Sequence, residues 1–306
     1  MTKHQKRSRT VRGKHRGLVL TLRDRDVLIL IGSCRYASAA QVARACFPNE
    51  DRARRRLRQL FDAGLISTIL YSSTAPNIVA LTKRGLEELT VLAPAVASRI
   101  RLPGPLRLAS LPHHLAIVDA RLYAAGLGVL RGALLARFES GSGSLAAELA
   151  LPTWHVTPDA LAEFKTPEGL IVIAVEVDRG TETLKTIKGK LDRYQGLADE
   201  DTIDALWLVV TSGPARQEHL ATLIDEAGLS SWARVLDHAF ITARPVKELP
   251  NRGGGEGGAG GPNTVVPSAP IREGSLGVVT PNPASEGLPD RPSDRRGLKS
   301  LKDKAV

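Results

Sequence analysis

From Leu22 onward the apolar positions recur with a helical period. Asp24-Arg25-Asp26 precedes the run Val27, Leu28, Leu30 and Ile31, and Gly32-Ser33 ends it. A second, short helix is expected from about Ser38 to Ala45, with Ser38 as N-cap and Phe47-Pro48 as stop. A third begins after Asn49, another good cap, and ends at Gly64. Its Ala53, Leu57, Leu60 and Phe61 share one face. The period then drops to two. Leu65 to Tyr71 reads as a strand, Ser72 to Asn77 as a polar turn, and Ile78 to Leu81 as the returning strand. Thr82 caps a closing helix, Lys83 to Leu92. Three helices, a hairpin and a helix predict a winged helix-turn-helix over 21–92, with its third helix in the major groove.

Residues 93–109, with Ala93-Pro94 and Leu102-Pro-Gly-Pro105, read as a linker. Over 110–245 the expected order is helix, three strands, helix, strand, helix, strand. Leu111 to Gly126 is helical and Ala133 to Glu139 a strand, followed by a flexible Ser140-Gly-Ser-Gly-Ser144. Thr157 to Phe164 and Leu170 to Asp178 are strands, the latter apolar enough to be central. Thr181 to Leu197 is a helix with Leu184, Ile187, Leu191 and Tyr194 on one face. Ala205 to Thr211 is a strand, Pro214 to Ala227 a helix, and Ala233 to Thr242 a last strand. The alternation predicts an α/β layer fold around a mixed sheet, so the chain as a whole is α+β with a helical first part.

Composition adds the ends and the partners. The 306 residues are 42% hydrophobic and 24% charged, ordinary for a globular protein of about two domains. Residues 1–20 form a basic arm: seven Lys/Arg and no acid precede Gly17, too polar to bury a core. It reads as a solubilising tail or as a phosphate-contacting arm. Residues 246–306 are expected to be disordered, because 250–306 hold 11 Gly, 8 Pro and no aromatic residue. Arg23 to Asp26 splits the early apolar stretch, so no signal peptide or membrane span is expected, and no membrane partner. Two cysteines, Cys34 and Cys46, suit a reduced cytoplasmic setting better than a disulfide scaffold, and read as small buried apolar residues.

Net charge is +10, but it is not evenly spread: residues 1–108 carry +14, 109–245 carry −6 and 246–306 carry +2. A basic front suits double-stranded DNA. Five arginines fall within seven residues of the third helix. Arg52, Arg55 and Arg58 lie opposite its apolar face with Gln59, and Arg54 and Arg56 flank them. Guanidinium forks match phosphates and guanine edges, so these six residues are the expected DNA contacts. A solvated charged face is the plainer alternative.

The acidic middle suggests chemistry. Pro158-Asp159 stands near a strand start, and Glu176-Val177-Asp178 ends the next strand, where alternation puts both acids on one face. Asp159 on a neighbouring strand can join them. Three converging carboxylates repel unless protonated or bridged, and Mg²⁺, with Mn²⁺ as substitute, is the natural bridge. Such a site holds a phosphodiester and activates water. Acids at strand ends also serve as plain loop caps.

Leu111-Pro-His-His-Leu-Ala-Ile-Val-Asp119, Pro158-Asp159, Glu176-Val-Asp-Arg-Gly-Thr-Glu182 and Lys190-Leu-Asp-Arg-Tyr194 together resemble the replication-relaxation family over about 20–245. The resemblance implies a restriction-endonuclease-like domain of the PD-(D/E)xK type after the winged helix. It implies action in replication or transfer of a plasmid or mobile element, beside replication or relaxase proteins. By it, Asp159 and Glu176 match the metal-binding acids, His114 the histidine of the leading helix, and Glu139 an acid on the first strand. The lysine of that pattern is replaced by Asp178. Lys190, one turn before Tyr194, can supply the ammonium from the next helix to the attacked phosphate, or is a surface lysine. Tyr194 is expected to pack its ring and turn its hydroxyl to the site. His114 reads as a proton-transfer or phosphate contact, or as a packing residue. Asp178 reads as a third metal ligand or as the partner of Lys190. The expected function is a DNA-binding protein with Mg²⁺-dependent endonuclease activity; the alternative is a regulator or recruitment factor with an inert second domain.

Overall fold

The computed structural model describes residues 18–69, 77–104, 108–140, 142–151 and 155–243. The first part begins with α1 (Leu22–Cys34), started by a reciprocal cap. The Thr21 side chain accepts from the Asp24 amide, and the Asp24 carboxylate accepts from the Thr21 amide at 2.6 Å. β1 (Ala37–Ser38) follows, then α2 (Ala39–Cys46), which opens on a second reciprocal cap between Ser38 and Gln41. Asn49 caps α3 (Glu50–Asp62), and Thr82 caps α4 (Lys83–Leu92). Between these helices β2 (Ile66–Ile69) and β3 (Ile78–Leu81) pair antiparallel, and β1 joins the outer side of β3. Part of the expected strand and turn, 70–76, lies outside the described residues.

Gly85 is required where α4 leaves the sheet. A Cβ on it would lie 2.0 Å from the Leu65 carbonyl oxygen, which is backbone and has nowhere to go. The core beneath holds Val27, Leu28 and Ile31 of α1, Val42 of α2, Leu57 and Leu60 of α3, and Leu89 of α4. The face expected for α3 is the face it buries.

Within the segment expected as a linker, residues 94–97 and 104 make packing or hydrogen-bond contacts. α5 (Pro94–Ala97) buries Ala97 in that same core, and Tyr36 donates to the Gly104 carbonyl at 2.7 Å. α6 (Leu111–Leu130) then runs one turn longer than expected. Its Val118 and Leu122 complete the core of α1–α4, while Ala116, Ala120 and Ala124 pack on the second sheet. One helix therefore serves both parts, and residues 18–243 lie within one compact unit. Leu18 and Leu20, within the expected basic arm, pack on the first core. Residues 1–17 of that arm and the Gly/Pro-rich tail lie outside the described residues.

The second sheet has the order β4 (Leu134–Ser140), β5 (Ala160–Thr166), β6 (Gly169–Asp178), β7 (Ala205–Val210), β8 (Ala233–Asp237). β4, β5 and β6 pair antiparallel, whereas β6, β7 and β8 are parallel, so the sheet is mixed. α7 (Ser144–Glu148), not foreseen in the sequence, begins at the last residue of the stretch expected to be flexible. α8 (Leu184–Asp199) and α9 (Pro214–Glu226) cover one face through Ile187, Leu191, Tyr194, Leu220 and Ile224. α6 covers the other with α10 (His238–Ala243), which replaces the second half of the last expected strand. The result is a helix–sheet–helix sandwich beside a smaller α/β part. Both cysteines carry free thiols; Cys34 is buried and burial pushes the Cys46 thiol up to about 12. No helix among the described residues is long and apolar enough to cross a membrane.

Candidate functional site

Alternation along β6 builds the site. Val172 and Ala174 face the α8 side and Ile173, Val175 and Val177 face α6. Glu176 and Asp178 continue the first series, so both acids emerge on the α8 side at the end of the strand. A cavity of about 430 Å³ opens there, lined by Asp159, Glu176, Asp178, Lys190, Tyr194 and His113 among others.

Glu176 is the centre of this cluster. Its Oε1 accepts from the Tyr194 hydroxyl at 2.6 Å and its Oε2 from Lys190 Nζ at 3.4 Å. Lys190 and Tyr194 are four residues apart on α8, so one helix face presents both. Burial pushes the Glu176 carboxyl up to about 7, and the neighbouring charge of Asp159 adds to the rise against Lys190 and Tyr194. Burial alone would lower the Lys190 ammonium, but Glu176 and Glu182 outweigh it and raise it; Glu182 Oε1 accepts from Nζ at 3.0 Å. Tyr194 is held well above its ordinary value by burial and by the Glu176 charge.

Asp159 enters from the turn before β5. Its Oδ2 accepts from the Val177 amide at 2.8 Å, which pins the two strands together, and its Oδ1 faces His113 Nε2 at 3.0 Å. The ring at this site is thus His113, not the expected His114. One residue is a rotation of about 100° on a helix, and His114 turns toward Tyr36, ring centroids 5.7 Å apart. Burial lowers its pKa, as do the charges of His113 and Arg35.

Asp178 lines the same cavity but is not available as expected. Arg216 of α9 donates to both its oxygens, at 2.9 and 3.2 Å, and to the Glu182 carbonyl at 2.7 Å. That fork draws the 179–183 loop against the end of β6. Among the described residues no three His, Cys, Asp or Glu side chains are placed to share a metal ion. Glu139 lies elsewhere, bonded to Arg137, Ser144 and the Leu145 amide. Besides His113, two residues that the sequence left unassigned complete the site. Glu182 stood inside the quoted motif, while nothing in the spacing pointed to Arg216, 38 residues from its partner.

On α3 the six expected contacts divide. Arg52, Arg54, Arg55 and Arg58 are exposed. Arg54 pairs with Asp51 and Arg58 with Asp62 along the helix, Arg58 lying also over the Phe61 ring. Arg56 is committed inward: its Nε and Nη2 donate to the two oxygens of Asp24 at 2.7 and 2.6 Å, and its Nη1 to Gln59 Oε1 at 2.8 Å. Asp24 is 1% exposed, so this fork fastens α3 to the first turn of α1, with Gln59 bracing it.

A family model described as replication-relaxation matches residues 28–205, more than half of the chain, spanning both α3 and the carboxylate cavity. No curated protein and no solved structure matches the chain.

Proposed function

The chain belongs to the replication-relaxation family, and from that premise we propose that it binds double-stranded DNA and hydrolyses a phosphodiester at the Glu176 cavity. In this reading α1–α4 and the three-stranded sheet act as a winged helix-turn-helix. The five-stranded sheet acts as a restriction-endonuclease-like scaffold, and the protein works in replication or transfer of a plasmid or mobile element. The observation that carries the reading is the convergence of Asp159 from the turn before β5, Glu176 from β6, and Lys190 and Tyr194 from α8 on one cavity.

Arg52, Arg54, Arg55 and Arg58 contact the duplex, because they are the exposed guanidiniums of the helix that packs on α2. At the cavity the donor set fits Mg²⁺. Asp159 and Glu176 stand close enough for one charge to raise the other, and this ion is bound through one or two carboxylates, waters and substrate phosphate. A bound Mg²⁺ would supply positive charge at the phosphate and at water. Glu176 is held in place by Tyr194, and Asp159 by the Val177 amide, so both acids are positioned before substrate arrives. Lys190 keeps its proton and turns Nζ toward the attacked phosphate's oxygens. Hydrolysis forms one oxygen–phosphorus bond and breaks one ester bond; the water gives up a proton and the departing alkoxide takes one.

The recruitment reading draws on a single observation, the engagement of Asp178 by Arg216, which removes one acid from the cluster. A cleavage assay on supercoiled duplex with Mg²⁺ separates the two: nicks by wild type and none by Glu176→Gln support hydrolysis, and no nicks by either support recruitment.

A further inference from the structure

A second groove, of about 450 Å³, runs along the outer edge of β4. The end of α1, the segment after α5, the middle of α6 and the residues before α7 enclose it. Five arginines line it, Arg35, Arg99, Arg101, Arg121 and Arg137, against a single carboxylate, Glu139.

That carboxylate is already satisfied. Glu139 accepts from Arg137 at 3.2 Å, from the Ser144 hydroxyl at 2.9 Å and from the Leu145 amide at 3.0 Å. Burial would raise its pKa, but these bonds hold it below the ordinary range, so it stays an engaged anion. Arg137 is also used up, since its Nη1 lies 2.6 Å from Glu148. The other four cations are not. Arg99 approaches Glu139 only to 3.9 Å. Among the described residues no carboxylate pairs with Arg35, Arg101 or Arg121. Arg121 lies over the Phe138 ring, 6.0 Å from its centroid, with Nη1 3.8 Å from the Cys34 sulfur. Those contacts aim the guanidinium without neutralising it.

Four like charges gathered in one groove repel one another, and an anion with several charges offsets that repulsion. The place of the groove says which anion. β4 pairs with β5 so that Ser140 stands opposite Ala160, the residue after Asp159. The β4 edge therefore leads toward the carboxylate cavity, as a DNA strand entering that cavity would run. We infer that the groove is a second DNA-contact surface, in which Arg35, Arg99, Arg101 and Arg121 grip backbone phosphates next to the Glu176 site. The inference rests on the DNA-binding reading above, but on a different set of residues.

The test is duplex binding by the full chain, followed by fluorescence anisotropy across a salt series. The variants are Arg35→Gln/Arg101→Gln, its charge-keeping counterpart Arg35→Lys/Arg101→Lys, and Arg52→Gln/Arg55→Gln on α3. Arg35 and Arg101 are exposed, so their loss leaves the fold intact. Each phosphate contact contributes roughly 0.9 to the log–log salt slope. The glutamine pair in the groove should lower that slope by about 1.8 and weaken binding on the order of tenfold, and the lysine pair should restore both. A groove variant that binds like wild type while the α3 variant weakens overturns the groove alone. A weakened groove variant beside an unchanged α3 variant upholds the groove and overturns the α3 assignment. Failure of wild type to bind duplex overturns both.

Discussion

Tyr194 and Glu176 share a buried hydrogen bond of 2.6 Å in which the phenol donates to Oε1, the tyrosine being 1% and the glutamate 8% exposed. It joins α8 to the end of β6 and fixes the rotation of the helix. Lys190, one turn earlier on the same face, is thereby delivered to Oε2. The bond and the lysine both favour the carboxylate, yet burial and Asp159 win, and the group titrates near neutrality.

That balance predicts a pH signature. A carboxyl with a folded pKa of about 7 against an ordinary 4.5 takes up protons on folding between those values. Its contribution is fully present below pH 4.5 and is lost as pH rises through about 7. Glu176→Gln removes the titration, so metal-free melting curves of the variant should gain on wild type at pH 8 by about 1–3 kcal/mol and not at pH 5. A constant difference at both pH values contradicts the assignment.

Lys190→Met should move the same profile. Without the ammonium, ionising Glu176 costs more, so the decline in stability shifts to higher pH. Duplex affinity should fall by no more than one phosphate contact is worth, because Lys190 lies away from α3 and from the β4 groove. Melting against pH, beside anisotropy, checks both; an unmoved profile would show that Lys190 does not act on Glu176.

Arg56 and its helical neighbours should separate cleanly. Arg56→Gln leaves Asp24 buried without its cation and should cost about 3 kcal/mol in chemical denaturation. Arg52→Gln and Arg55→Gln should each stay within about 0.5 kcal/mol of wild type, as exposed substitutions do. Equal costs at all three positions would remove the distinction between anchor and contact.

Gly85→Ala tests the fit of α4 on the sheet. With the Leu65 carbonyl 2.0 Å from the added carbon, backbone must move, and the loss should exceed about 2 kcal/mol. A variant as stable as wild type in denaturant would contradict the close approach.

Periodicity was legible wherever one face meets one core. Ala53, Leu57, Leu60 and Phe61 of α3 are buried as their spacing predicts, and Ile187, Leu191 and Tyr194 of α8 likewise. Leu184, expected beside them, is exposed because α8 begins there and its first turn overhangs the core. The split of α6 was hidden, since a helix that packs on two cores shows no single apolar stripe. Short elements such as β1 and α7 are set by tertiary pairing rather than by local propensity. At the site, Asp159, Glu176, Lys190 and Tyr194 could be read from strand alternation, helical spacing and the family motif. His113 could not be told from His114 without the phase of α6. The partners of Asp178 and Arg56 lie 38 and 32 residues away, beyond any local pattern.

The most direct measurement is nicking of supercoiled duplex DNA by the full chain with Mg²⁺ or Mn²⁺, for wild type, Asp159→Asn, Glu176→Gln and Lys190→Met. Hydrolysis at the Glu176 cavity predicts metal-dependent nicks by wild type and their loss in all three variants. Their affinity for duplex should be largely retained, since α3 and the β4 groove are untouched. Wild type that binds the duplex but leaves it intact with either metal, or variants that nick as fast as wild type, would contradict the account.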